Sequence, residues 1–150
     1  MPDGAAFGAN VKGRVWSAEV SLKVPFYDLD PLQIVWHGNY AKYFELARCE
    51  LLEQIGYNYA EMRTSGYSWP VIDMHVRFLQ SAVFGQEILI RAEIVEWEHR
   101  LKMNYLIRDA ATKLRLTKGS TVQVAVSLES KLMCLQSPPV LLERLGIAQP

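Results

Sequence analysis

The sequence is poor in cysteine, carries no excess of charge and has no long hydrophobic run. Its two cysteines, Cys49 and Cys134, are too few for a disulfide framework, and no Cys/His spacing predicts a zinc site. No apolar stretch is long enough to span a bilayer, and the N-terminus lacks the basic and then apolar pattern of a signal peptide. We therefore expect a cytoplasmic protein without membrane insertion, metal or cofactor.

The charge balance limits the possible partners. The 16 Lys and Arg residues balance 16 Asp and Glu residues, which leaves a formal net charge of zero. A chain without an overall positive field is a poor candidate for binding nucleic acid or an anionic membrane surface. A polyanionic ligand would therefore have to be held by a local cluster of basic residues.

Chain length and hydrophobic content favour a single folded domain. With 150 residues, half of them hydrophobic, the chain is long enough to bury a sizeable core. Residues 1–13 are rich in Gly and Ala and show no periodicity. We therefore expect a flexible tail over residues 1–13 and one domain over residues 14–150.

Hydrophobic periodicity predicts one long helix among several strands. Apolar residues at spacings of three and four predict a helix over 39–55, with Asn39 as its N-cap and Gly56 just beyond its end. Alternating patterns predict strands over 15–26, 72–78, 88–97, 101–108 and 122–128, before a short amphipathic segment at 140–145. This order predicts an α+β fold, in which an antiparallel sheet of about five strands wraps around one long central helix.

The segment 24–45, VPFYDLDPLQIVWHGNYAKYFE, places two carboxylates just before the predicted helix. Asp30 precedes Pro31, which biases its backbone to an extended conformation and presents its side chain from a rigid turn. A carboxylate beside the free N–H groups of a helix N-terminus is typical of a catalytic site. An Asp before such a turn can also simply close an Asx turn, and Asp28 fits that interpretation better than Asp30 does.

The same segment resembles the hotdog-fold acyl-CoA thioesterases of the 4-hydroxybenzoyl-CoA thioesterase and YbgC-like group. The family has an Asp-x-Asp turn, an apolar segment such as Ile-Val-x-His, an Asn-Tyr pair and a helix, matched here by Asp28-Leu29-Asp30, residues 34–37, Asn39-Tyr40 and Glu45. The likeness extends over residues 15–129. Gln33 stands where the family usually has Gly, and Leu29 where it has Thr or Cys, so we expect a different shape of the turn and of the acyl pocket.

This resemblance implies roles for several residues of the motif. Asp30 is expected to be the catalytic carboxylate, either as nucleophile or as general base, and the backbone N–H of His37 is expected to face the thioester carbonyl. The side chain of His37 would orient Asp30 or water, or would simply pack at the helix start. Asn39 and Tyr40 are the expected substrate contacts. Glu45 is a reserve carboxylate, for which a salt bridge is the interpretation we favour.

A coenzyme A substrate carries phosphates, which a chain of zero net charge must bind with local basic residues. Arg100 and Lys102, next to His99, lie in the connection where the resembling enzymes place such residues. Lys118 is expected close by, at the opening of the last strand. Each of these residues could instead be a solubilising turn residue.

We therefore expect an acyl-CoA thioesterase for aromatic or for short or medium acyl groups. The acyl pocket, or alternatively the core, would contain Trp36, Tyr40, Tyr43, Trp69 and Met74. An acyl-carrier-protein thioesterase and a non-catalytic acyl-CoA-binding module remain as alternatives. Because one sheet leaves strand edges unpaired, and because hotdog domains place their sites between subunits, we expect a homodimer or a homotetramer.

Overall fold

The computed structural model describes residues 15–148, and its centre is a five-stranded antiparallel sheet. In chain order the strands are β1 (Ser17–Lys23), β2 (Tyr67–Ser68), β3 (Val71–Phe78), β4 (Glu87–Glu96), β5 (Leu101–Asp109), β6 (Arg115–Gln123) and β7 (Val126–Ser127). The large sheet has the strand order β1-β4-β5-β6-β3, and β2 pairs with β7 in a separate small ladder.

One long helix covers one face of this sheet, which we call the inner face. The helices are α1 (Tyr40–Gln54), α2 (Tyr59–Thr64) and α3 (Pro139–Leu145). Every second residue of β4 and β5 is buried against α1, namely Ile88, Ile90, Ala92, Ile94, Leu101, Met103, Tyr105 and Ile107. The Phe44 ring of α1 stacks on Tyr105 with 4.4 Å between centroids. Gly119 permits this approach, because a Cβ there would come within 2.7 Å of the Phe44 ring.

This architecture confirms the predicted fold class, the long helix and most of the strands. The prediction of a strand over 122–128 is wrong, because β6 runs from Arg115 to Gln123, and the chain then leaves the large sheet before the short strand β7. A bulge in the pairing of β5 with β6 buries both Leu116 and Thr117, so the apolar alternation that marks a strand is lost there. The predicted tail over residues 1–13 lies outside the described residues. None of the helices within residues 15–148 is long and apolar enough to cross a membrane.

Strand β3 forms one edge of the sheet. Of the described strands, β6 alone pairs with it. Apolar side chains along this edge are 38–57% exposed, namely Val71, Ile72, Met74 and Phe78. An exposed and apolar strand edge is a template for pairing with another chain.

Candidate active site

Asp28 is a buried carboxylate that joins the loop before α1 to the helix. Its side chain accepts hydrogen bonds from Lys42 Nζ at 2.8 Å and from the Tyr43 hydroxyl at 2.7 Å. Burial, together with the adjacent carboxylate, raises the pKa of Tyr43, so this hydroxyl stays protonated and donates. The Asp28 carbonyl accepts hydrogen bonds from Asn39 Nδ2 at 2.8 Å and from the N–H of Trp36 at 3.0 Å. Asp28 therefore has a structural role, through contacts with α1.

Asp30 opens a tight turn and keeps one carboxylate oxygen unbonded. The N–H of Gln33 donates to the Asp30 carbonyl at 2.8 Å, which closes a four-residue turn with Pro31 in its second position. The N–H of Leu32 donates to Asp30 Oδ1 at 2.8 Å, whereas no residue in 15–148 donates to Oδ2. The Asx turn is therefore made by Asp30 and not by Asp28, which corrects the sequence interpretation.

Gln33 replaces the usual Gly of the family at a position that favours glycine. Its φ is 65°, in the left-handed region that a side chain disfavours. In a type I turn with Asp first and Pro second, the fourth residue is often Gly. The turn at Asp30 therefore closes with Gln33 in the conformation that glycine would adopt.

Two backbone N–H groups at the start of α1 have no acceptor in the described part of the chain. A single 3₁₀ turn, His37–Asn39, leads into α1. The N–H of Asn39 donates to the Trp36 carbonyl at 2.9 Å, but those of His37 and Gly38 donate to no described residue. The Asn39 side chain does not cap the helix, contrary to the prediction, because its amide donates to the Asp28 carbonyl. The first N–H groups are thus left for a ligand.

The side chains around this helix start are partly exposed. The Trp36 indole is 49% exposed and lies over Gly38, where any Cβ would collide with the ring. The His37 ring lies 5.2 Å from the Trp36 ring, and its nitrogens make no hydrogen bond with the described residues. A glycine at position 38 is therefore required for the position of Trp36.

The aromatic residues proposed for a pocket or for the core divide into two groups. Tyr40, Tyr43 and Trp69 are at most 4% exposed and belong to the core, whereas Trp36 and Met74 are exposed. Burial raises the pKa of Tyr40. Its ring packs edge-on against Phe78 of β3, with 5.3 Å between centroids.

The reserve carboxylate, Glu45, lies on the exposed side of α1. Its Oε1 is 3.7 Å from Arg48 Nη2, and its side chain is 54% exposed. This geometry is that of a loose salt bridge along one helix face and supports the interpretation favoured from sequence.

The basic residues predicted to form one cluster lie in two separate places. Arg100 makes an ion pair with Glu96 at 2.7 Å, and the hydrogen bond lowers the pKa of Glu96. Lys102 pairs across the sheet with Val122, four residues along β6 from Lys118. At ~3.3 Å per residue this separation is about 13 Å. Lys118 lies within β6 and not at its opening, so the predicted proximity is wrong.

Sequence reasoning missed the residues that do lie beside Lys118. These are Arg77 and Arg115, and with them Arg108, which face the same cavity on the sheet. Arg77 of β3 is distant in sequence from Arg108 of β5 and Arg115 of β6, so that strand register was needed to bring the three together. The open N–H of Gly38 was missed as well, although its place at the helix start was a usable signal.

Comparison with known proteins places this geometry in a family. The family model of the Thioesterase-like superfamily matches residues 24–145. A Synechocystis sp. protein that is named provisionally as an esterase, sll0410, is 28% identical over 128 residues, which cover 85% of this chain and 77% of that protein.

Two further proteins share part of the sequence or the fold. The acyl-acyl carrier protein thioesterase ATL3 of Arabidopsis thaliana is 35% identical over 83 residues, covering 55% of this chain and 44% of that protein. The crystal structure of DHNA-CoA thioesterase from Staphylococcus aureus superposes with a TM-score of 0.77 at 22% identity, covering 87% of this chain and 89% of that chain. With the five-stranded sheet, the central helix and the matched motif, this chain belongs to the Thioesterase-like superfamily, has its hotdog fold and is a thioester hydrolase.

Proposed function

We propose that the protein hydrolyses the thioester of an acyl-CoA, with Asp30 as the reacting carboxylate. The observation that carries this proposal is that an unbonded Asp30 oxygen lies on the same loop as the unbonded N–H groups of His37 and Gly38. Thioester hydrolysis needs an attacking oxygen and donors for the negative charge that develops on the carbonyl oxygen. This loop offers both.

Two routes use the same groups. In one, Asp30 attacks the thioester carbon, the C–S bond breaks, and water then hydrolyses the acyl–Asp30 anhydride. In the other, Asp30 takes a proton from the attacking water. In both, the N–H groups of His37 and Gly38 stabilise the oxyanion, and the thiolate leaves and takes up a proton. Removal of one such donor from other enzymes costs about 3–4 kcal/mol.

We propose an aromatic or a short or medium acyl group as the substrate. The exposed rings of Trp36, which precedes the helix start, and of Phe78, which contacts Tyr40, offer an apolar surface there. The predicted substrate contacts of Asn39 and Tyr40 stay predictions; the Asn39 amide is engaged with Asp28, and the Tyr40 ring is buried.

A thioester on an acyl carrier protein is the second candidate substrate, favoured by the relative from Arabidopsis thaliana that acts on such thioesters by name. A module that only binds acyl-CoA is less consistent with the site, because an unbonded Asp30 oxygen would repel a thioester carbonyl without reacting with it.

We propose that the working unit is a homodimer, or a homotetramer of two dimers. The apolar edge of β3 supports pairing with a second copy of the chain. Phe78 of this edge contacts Tyr40, the first residue of α1, so a partner on the edge would lie beside the helix start.

A panel of acyl-CoAs assayed for release of free thiol tests the function. We expect turnover of at least one aromatic or medium-chain member, with Asp30→Asn as the inactive reference. The same acyl groups on a carrier protein form the second arm. Activity confined to that arm would favour the second candidate, and tight acyl-CoA binding without turnover in both arms would contradict an enzyme.

A further inference from the structure

The outer face of the sheet, opposite α1, carries basic residues that stand directly across from one another. Arg77 of β3 pairs with Lys118 of β6, and Arg108 of β5 pairs with Arg115 of β6. Like charges in directly opposed positions destabilise an antiparallel sheet. Two such pairs on three adjacent strands are unfavourable for the chain alone, and a bound anion would remove the repulsion.

Few carboxylates of the described residues neutralise these charges. Arg108 forms an ion pair with Glu19 at 2.8 Å. The side chains of Arg77, Arg115 and Lys118 form no ion pair or hydrogen bond with any residue in 15–148. Three cations therefore face solvent together, within a protein whose net charge is zero.

These side chains line an open cavity of about 610 Å³, together with His75 and Asn104. This volume is within the range of pockets for small ligands and cofactors. Guanidinium groups in such a pocket match phosphate oxygens in geometry as well as in charge. A second copy of this chain would present the same positive face and be repelled, so a small polyanion is the better match.

The cavity extends from the middle of the sheet to the end where α1 begins. The Arg77–Lys118 pair is followed directly by the pair of Phe78 with Thr117, and β3 ends at Phe78. The Phe78 ring contacts Tyr40 on the inner face. A ligand that extends around this sheet end could therefore reach from the cavity to the catalytic loop.

We propose that this cavity binds the phosphate groups at the nucleotide end of a coenzyme A thioester. The inference rests on the proposed function and assigns the nucleotide to Arg77, Arg108, Arg115 and Lys118 on the sheet. The turn with Arg100 and Lys102 is less suited, because Glu96 neutralises its one guanidinium, whereas Arg77, Arg115 and Lys118 have no carboxylate partner within residues 15–148.

The test variant is Arg115→Gln/Lys118→Gln, which removes one member of each opposed pair. The control is Arg63→Gln/Lys131→Gln, which removes two exposed cations elsewhere. By calorimetry, the test variant should bind coenzyme A and adenosine 3′,5′-bisphosphate about tenfold more weakly than the parent and the control. The difference should shrink as salt is added. Without ligand, the test variant should melt at a higher temperature than the parent, because the repulsion is gone.

Steady-state kinetics separates this inference from the proposed function. The test variant should show a higher KM for acyl-CoA at unchanged kcat, and no change with the acyl-pantetheine that lacks the nucleotide. Unchanged coenzyme A binding in the test variant would overturn the inference, and so would loss of that binding in Arg100→Gln/Lys102→Gln alone. An effect confined to an acyl carrier protein substrate would also overturn it, in favour of a docking surface for that protein. If the parent binds coenzyme A through these residues but hydrolyses no acyl-CoA, the phosphate site is supported and the proposed function is contradicted.

Discussion

Two aspartates illustrate, at the scale of single residues, how environment assigns a role. Asp28 is 3% exposed and bonded through both oxygens to α1, whereas Asp30 is partly exposed and bonded through one. Leu29 alone separates them in sequence. A carboxylate with both oxygens hydrogen-bonded to a helix stabilises the fold, and one with an unbonded oxygen can react.

Exchange for Asn should therefore affect a different property at each aspartate, namely turnover at Asp30 and stability at Asp28. Asp30→Asn should lower turnover roughly a hundredfold or more at unchanged melting temperature, because the amide oxygen can still accept from the N–H of Leu32. Asp28→Asn should keep most of the turnover of the folded enzyme but lose about 1–2 kcal/mol of unfolding free energy, because the ion pair with Lys42 is lost. Thermal melting and thiol-release assays on both variants measure this; equal and modest losses of turnover would contradict the assignment.

Glu93 is a second residue whose surroundings change its chemistry. It is fully buried in β4, and burial raises its pKa from 4.5 to about 7, against the lowering effect of Arg91 at 4.0 Å. Its cross-strand neighbours are Ser17 and Asn104, and its carboxylate oxygens accept no hydrogen bond within the described residues.

Stability should therefore fall as pH rises between about 4.5 and 7. The folded state holds the Glu93 proton more tightly than the unfolded state does, so its stabilising effect is complete at low pH and is lost as the pH passes the folded pKa. Glu93→Gln should be more stable than the parent at pH 8, by on the order of 3 kcal/mol, and equal to it near pH 4. Denaturant unfolding at both pH values measures this, and a parent whose stability does not change over this range would exclude a raised pKa.

Local backbone geometry is what matters at the scale of elements. The turn from Asp30 to Gln33 positions the carboxylate proposed to react, and it does so with a non-glycine residue at a φ of 65°. The bridge of Leu29 with Val35 and the bond from the Asp30 N–H to the Ile34 carbonyl hold the two sides of this turn together. The surrounding ladder thus stabilises a conformation that Gln33 alone disfavours.

Gln33→Gly should stabilise the protein. Glycine adopts the left-handed conformation without the steric cost that a Cβ brings, but it loses more backbone entropy on folding. The net gain in unfolding free energy should be roughly 0.5–1 kcal/mol. Gln33→Ala serves as the control, since it keeps a Cβ at the same φ and should gain nothing. Melting temperatures of the three proteins compare them, and an equal gain in both variants would point to the Gln side chain and not to the backbone.

The exposed edge of β3 is the feature with consequences for the whole molecule. A row of apolar side chains and unpaired backbone groups of this length is rarely left open to water. Pairing of two such edges would bury the row and bring a second subunit to the helix start beside Phe78.

Light scattering at micromolar concentration should therefore give a mass of at least twice the 17.1 kDa of one chain. Ile72→Glu, which places a charge in the proposed interface, should shift the mass toward the monomer and lower activity. Leu135→Glu is the control, because Leu135 is 80% exposed and does not belong to β3. A fully active particle of 17.1 kDa would refute the dimer.

Local signals in the sequence determined much of this protein. Periods of two and of three to four residues identified most of the strands and α1, because the side-chain period of an element is a property of the backbone itself. The Asp-Pro pair and the helix start that follows also predicted the turn at Asp30 and the start of α1, since turn and helix-start chemistry act over a few residues.

Tertiary structure alone decided the remaining features. The last strand of the sheet is Arg115–Gln123 and not 122–128. Its register with the neighbouring strands places Lys118 opposite Arg77 and far from Arg100. Packing on α1 decided that Asp28, and not Asp30, is buried. These outcomes depend on pairings between residues far apart in the chain, which have no local signature in sequence because backbone hydrogen bonds between strands are the same for every side chain.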